Sequence, residues 1–133
     1  MTRALLLTAA AVLALASPAA SRETPAAPRT GPNLFIQNLY PGSASVTIRV
    51  CNGGTTAAPA TYLRVEHFWS PWVWSNQSVH NVATPAINAG SCTNVLVAEG
   101  DQPGQSNSWF AYADFFEEMT ESDENDNTFE ITT

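Results

Sequence analysis

The sequence predicts an all-β fold, a seven-stranded antiparallel sandwich, from three observations. Short runs of β-branched and aromatic residues alternate with polar ones at a period of two. Clusters of Gly, Pro, Asn and Ser separate these runs at short intervals. After residue 16, no stretch repeats with the helical period.

The strands follow in order. LFIQNLY (34–40) is apolar-rich and stops at the turn signal Pro41-Gly42. SVTIRVCN (45–52) places Val46, Ile48 and Val50 on one face and Thr47 and Arg49 on the other, which marks a half-buried strand ended by Asn52-Gly53-Gly54. TYLRVEHFW (61–69) alternates again, with Leu63 and Val65 opposed by Arg64 and Glu66, and a fourth short strand is expected near Val79 to Ala83. SCTNVLVAE (91–99), SWFAYADFF (108–116) and TFEITT (128–133) supply the fifth, sixth and seventh, and no internal repeat is present.

The 133 residues leave room for one domain, and the 44% hydrophobic content is ordinary for a globular chain. Residues 1–16 read as a signal peptide: a basic start at Arg3, an uncharged apolar run from Ala4 to Ala16, and the small residues Ala14-Leu15-Ala16 at its end. The run is shorter than the roughly 20 residues that span a bilayer, so the mature chain is expected to carry no membrane span. Residues 17–32, SPAASRETPAAPRTGP, are too rich in Pro and Ala to bury a core and read as an extended tether. The domain is then expected over 33–133, secreted or held in the cell envelope.

Removing the signal segment leaves four arginines, no lysine and all twelve acids, which moves the formal charge from −7 to −8. A chain this acidic, with no basic cluster, is repelled by phosphate backbones and anionic membranes, so nucleic-acid binding is set aside. In an exported chain the two cysteines, Cys51 and Cys92, are most simply one disulfide. Closing a loop of about 42 residues contributes roughly 4 kcal/mol in the chain-entropy account. A free reactive thiol or a two-cysteine metal site is the alternative.

ESDENDNT (121–128) lies in a segment where Asp114, Glu117, Glu118, Glu121, Asp123, Glu124 and Asp126 put seven acids in thirteen positions. A twelve-residue calcium loop needs glycine at position 6 and glutamate at position 12. Counted from Asp123, position 6 is Thr128 and position 12 lies past Thr133; counted from Glu121, they are Asp126 and Thr132. Neither register fits. Because Phe129-Glu130-Ile131 follows as a strand, the acidic run is internal, and a turn between strands six and seven is the expected structure. Its Asp and Asn side chains can bond backbone N–H groups two or three residues on, so it is expected to order itself without a metal or cofactor; a less regular calcium site that relieves the repulsion among the seven acids is the alternative.

ADFFEEMTESDENDNTFEI resembles the C-terminal signature of the bacterial cell-adhesion-related domain family often called CARDB. Asp114 matches the family's first aspartate, Met119 its loop hydrophobe, Glu121 and Glu124 its two glutamates, and Asn127-Thr128 its closing pair. Two earlier segments agree: Val50-Cys51-Asn52-Gly53-Gly54 with Ala58, and Ile87-Asn88-Ala89-Gly90-Ser91. The resemblance covers roughly residues 33–132. It implies an immunoglobulin-like sandwich used outside the cell for adhesion or as a spacer, without a catalytic site. It also implies a structural clamp in the acidic turn, formed by Asp114, Glu121, Asp123, Glu124, Asn125 and Asn127. Glu117 and Asp126 depart from the family's asparagines, and the cysteine pair is not a general family feature.

HFWSPWVW (67–74) gathers Trp69, Trp72 and Trp74 around Ser70-Pro71. One of them is expected to fill the core, and one strand cannot easily bury all three with Phe68, so the two readings are a contact surface for sugar or protein at this loop and, equally, a purely core role for the tryptophans. His67 and His80 could face each other across strands three and four with Glu66 nearby, but two histidines without a third placed ligand argue for surface positions. No Gly-x-Ser-x-Gly turn and no phosphate-binding glycine loop is present. A glycosidase-like carboxylate pair would need a cleft that about 100 residues hardly provide. Asn76-Gln77-Ser78 matches a glycosylation acceptor. The expected function is therefore a non-catalytic adhesion or binding module whose partner is an extracellular protein or glycan. Carbohydrate binding through Trp69, Trp72 and Trp74 is the alternative.

Overall fold

The computed structural model describes residues 30–70 and 76–133. The expected signal peptide, most of the expected tether, Trp72 and Trp74 lie outside the described residues. Seven strands follow in chain order: β1 (Leu34–Pro41), β2 (Val46–Asn52), β3 (Thr61–Ser70), β4 (Asn76–Thr84), β5 (Cys92–Val97), β6 (Ser106–Tyr112) and β7 (Thr128–Thr132). They build a three-stranded sheet in the order β1-β2-β5 and a four-stranded sheet in the order β4-β3-β6-β7. Every pairing is antiparallel. The fold is an all-β sandwich of the immunoglobulin-like type, and no helix among the described residues is long and apolar enough to cross a membrane.

Alternation dictates which side chains meet between the sheets. Val46, Ile48 and Val50 of β2 point inward with Leu63 and Val65 of β3 and Trp109 and Ala111 of β6, all fully buried. Each such aliphatic side chain contributes about 1.5–3 kcal/mol by leaving water. β1 needs a correction to simple alternation. Leu34 and Ile36 are inward, but so is Leu39, an odd step later. A bulge between Ile36 and Asn38 absorbs the extra residue and returns Leu39 to the core.

The disulfide joins Cys51 and Cys92. The two residues stand directly opposite each other on β2 and β5, with their Cα atoms 4.0 Å apart. The bond therefore staples neighbouring strands of one sheet, rather than the two sheets to each other.

Loop ends are closed by side chains. Asn52 accepts the N–H groups of Asn33 and Gly54, both at 3.0 Å, and donates to the carbonyls of Thr56 at 2.8 Å and Ile87 at 2.9 Å. All four of its hydrogen-bonding capacities are used in a buried position, which holds the end of β2. Gly54 has no room for a side chain, because a Cβ there would lie 2.6 Å from the Asn33 nitrogen and nearer still to the Gly31 carbonyl. Gly31 and Pro32, assigned by composition to the tether, already bond to the domain: their carbonyls accept Thr55 N–H at 2.8 Å and Ser122 N–H at 2.9 Å.

Candidate functional site

Four features carry polar or aromatic groups that the core does not use up. The first is the acidic turn between β6 and β7. Asp114 turns the chain with φ 42°, and its carboxylate accepts the N–H groups of Glu118 and Met119, both at 3.1 Å, and the Thr61 hydroxyl. Glu124 accepts Glu121 N–H at 2.9 Å, and Asp123 accepts Asn125 N–H at 3.2 Å. Asn127 Nδ2 donates to Glu124 at 3.3 Å. Asn33 ties the turn to β1 by donating to Asp126 at 2.9 Å and accepting Asp123 N–H at 2.9 Å. The segment thus orders itself through carboxylates bonded to nearby backbone.

Glu121 behaves differently from its neighbours. It is 8% exposed, and neither carboxylate oxygen completes a well-formed hydrogen bond. Burial pushes its carboxyl up to about 7; the Asn127 side chain and the Leu34 N–H lie close enough to oppose the rise, while Glu124 and Asp114 add to it. A depression of about 480 Å³ opens beside this turn, bounded by Tyr112, Phe115, Met119 and Glu124. Among the described residues, no group of three or more His, Cys, Asp or Glu side chains is arranged to hold a metal ion.

The second feature is the tryptophan segment. Trp69 lies on the inward face of β3, half-buried, with its ring 4.8 Å from that of His67. Trp72 and Trp74 lie outside the described residues. The tryptophan that fills the core is Trp109 of β6, fully buried, with Nε1 donating to Asp101 at 2.8 Å. Its place follows from SWFAYA, where Trp109, Ala111 and Ala113 alternate inward and the two alanines leave space for one large ring.

The third feature corrects the expected surface position of His67, while His80 keeps 35% side-chain exposure. His67 has no exposed surface and stacks face to face on Trp109, with ring centroids 3.7 Å apart and planes 2° from parallel. Its carboxylate partner is Glu99, from the chain leaving β5, and not Glu66, which points the opposite way and pairs with Arg64 at 2.7 Å. Glu99 accepts from Ser78 Oγ at 2.6 and 2.7 Å, meets His67 Nδ1 at 2.7 Å, and meets His80 Nε2. Ser78 and His80 are on β4, so Glu99 links the two sheets along their β4–β5 edge.

The orientation of His67 follows from Asn107. The Asn107 oxygen already accepts Gln102 N–H at 2.8 Å, and its nitrogen donates to the carbonyls of Gln102 and Gln105. His67 Nε2 lies 2.9 Å from that oxygen, which has no hydrogen to give, so Nε2 donates there and Nδ1 is turned toward Glu99 at 2.7 Å. Burial acts to raise the Glu99 carboxyl, but the hydrogen bonds from Ser78, His67 and His80 and the His67 charge outweigh it and hold it below its ordinary value.

The fourth feature is the outward face of the four-stranded sheet, which the sequence reading passed over. Tyr62, Arg64, Glu66 and Phe68 share this face of β3, and the β3–β6 register sets Tyr112 opposite Arg64 and Phe110 opposite Glu66. Phe115 and Phe116 follow at the end of β6. Tyr62 is 43%, Phe115 37% and Phe116 52% exposed, and Phe68, Phe110 and Tyr112 are half-buried. The rings contact one another edge to face: Tyr62 with Phe116 at 5.9 Å, Phe115 with Phe116 at 5.4 Å, Tyr112 with Phe115 at 5.8 Å, and Phe68 with Phe110 at 5.6 Å. The signal was legible in SWFAYADFF, whose small inward alanines alternate with the outward Phe110 and Tyr112.

No protein-family model matches the chain, and comparison with curated proteins and with solved structures gives no match. The class that the strands and sheets define is an all-β, immunoglobulin-like sandwich with an intra-sheet disulfide.

Proposed function

We propose that this chain is an exported, non-catalytic binding module of the adhesion-related type, and that it binds through the outward face of its four-stranded sheet. The supporting observation is the concentration of six aromatic side chains on that one face, three of them exposed. Scattered exposed apolar residues are normal on a monomer, whereas a contiguous aromatic patch flanked by polar groups is the usual chemistry of a contact surface. The polar groups that resemble catalytic ones are already engaged: Asp114 in backbone bonds and Glu99 between the sheets.

A capture experiment tests this reading. The wild-type domain and the double variant Tyr62→Ser/Phe116→Ser are immobilised and exposed to cell-envelope and secreted fractions. The variant is expected to keep its circular dichroism spectrum and lose the captured partner; undiminished capture by the folded variant would defeat the proposal. Sugar binding through Trp69, Trp72 and Trp74 is the competing reading, and the inward lean of Trp69 onto His67 counts against its described part. Glycan-array hits that vanish in Trp72→Ala/Trp74→Ala would put that reading first.

A further inference from the structure

Granted that the outward face binds a partner, we infer that the partner offers an extended cationic segment of polypeptide, with arginine as the preferred residue. The face already displays one such contact within the chain. The Arg64 guanidinium carbon lies 4.5 Å from the centroid of the Phe115 ring, while Nε of the same side chain bonds Glu66 at 2.7 Å. A guanidinium between a ring face and a carboxylate is the arrangement in which arginine surpasses lysine, because it stacks and forks at once.

The charges around the rings are complementary to further cations. Among the described residues Arg49 and Arg64 are the only Lys or Arg side chains; Arg49 belongs to β2 in the other sheet, and Arg64 is committed to Glu66. Glu130 of β7 stands opposite Phe110 on the outward face, and Glu117 is exposed beside Phe116. Tyr112 registers the local field: burial raises its phenol first, and the Glu66 and Glu130 charges raise it further against the opposing Arg64. Exposed rings set among uncommitted carboxylates attract cations by both quadrupole and charge.

The same geometry disfavours two other occupants. Sugar rings stack on flat, parallel aromatic tracks, but here the Tyr62–Phe116, Phe115–Phe116 and Tyr112–Phe115 planes meet at 78°, 78° and 66°. A second copy of the chain would set the same acids against the same acids, on a molecule with formal charge −7 over its full sequence.

The test uses calorimetric titration of the disulfide-bonded protein with nona-arginine, nona-lysine, nona-glutamate and chitohexaose. Nona-arginine is expected to bind more tightly than nona-lysine and to weaken as salt is added, with no binding by the other two probes. Tyr62→Ser/Phe116→Ser should weaken nona-arginine binding about tenfold, and Glu130→Gln should weaken it by a smaller factor. Equal binding by the folded double variant would overturn the inference, because it would reveal diffuse attraction to the acidic chain. Chitohexaose binding that depends on Tyr62 and Phe116 would overturn it in favour of sugar. If nona-arginine fails to bind while the double variant still loses its envelope partner, the cationic class is wrong and the surface stands. If the variant loses neither, both the class and the surface are wrong.

Discussion

Replacing Glu99 with alanine removes the one carboxylate that three side chains of the opposite sheet share. In the folded chain it takes Ser78 at 2.6–2.7 Å, His67 at 2.7 Å and His80 beside them. Breaking a buried charged pair costs about 3–5 kcal/mol. The Glu99 side chain keeps 15% exposure and His80 35%, so water recovers part of the His80 contact, whereas His67, with none, is left stranded. About 3 kcal/mol is the resulting loss. At about 4–8 °C per kcal/mol for a domain of this size, the melting temperature at pH 7 should fall by at least about 10 °C. The acid limb supplies a second check. The Glu99 carboxyl is held below its reference value of 4.5, so its stabilisation is complete above that pH and is lost as pH falls through the lower folded value. Melting curves of wild type and Glu99→Ala, followed by circular dichroism, should therefore converge in acid. A fall smaller than about 3 °C at pH 7, or a difference that persists unchanged in acid, would refute the clasp.

Further outcomes follow from the same reasoning. Glu121 has the opposite sign: its carboxyl is raised from 4.5 to about 7, so the folded chain keeps a proton that the unfolded chain releases, and stability declines as pH rises across that window. Glu121→Gln should therefore gain roughly 2 kcal/mol at pH 8, discounted for partial solvent screening, and little at pH 4, as read from urea melts at both. Replacing Cys51 and Cys92 with alanine opens a cross-link of sequence separation 41 and should cost about 2–4 kcal/mol, measured by the urea midpoint; an unchanged midpoint would count against the staple. Gly54→Ala forces a Cβ against the backbone of Gly31 and Asn33, and should cost more than about 2 kcal/mol in the same assay.

The strands were legible because burial on one face writes itself as alternation: Val46, Ile48 and Val50, or Leu63 and Val65, allow one inward face and no other. The cysteine pairing was legible by count alone. The bulge in β1 was not, because Gln37 is unremarkable in sequence and only the register with β2 reveals the extra residue. His67 looked like a surface residue because its partners come from 32 and 40 positions away, Glu99 and Asn107, and no local spacing announces them. The tryptophan-rich segment drew attention by composition, whereas the aromatic face is assembled from β3, β6 and the turn after it, of which SWFAYADFF alone carries a local signal. In the acidic turn the carboxylates of Asp114, Asp123 and Glu124 accept nearby backbone N–H groups, but Glu121 was read as one more clamp residue, and its unsatisfied burial appears only once Leu34 and Asn127 are packed around it.

The binding surface is tested most directly by hydroxyl-radical footprinting of the domain, alone and loaded with its captured envelope or secreted partner. The proposed surface predicts protection of Tyr62, Phe115 and Phe116 on loading, with Trp109 silent in both states because it is buried. Protection confined to Trp69, Trp72 and Trp74, with Tyr62 and Phe116 still fully reactive, would contradict it.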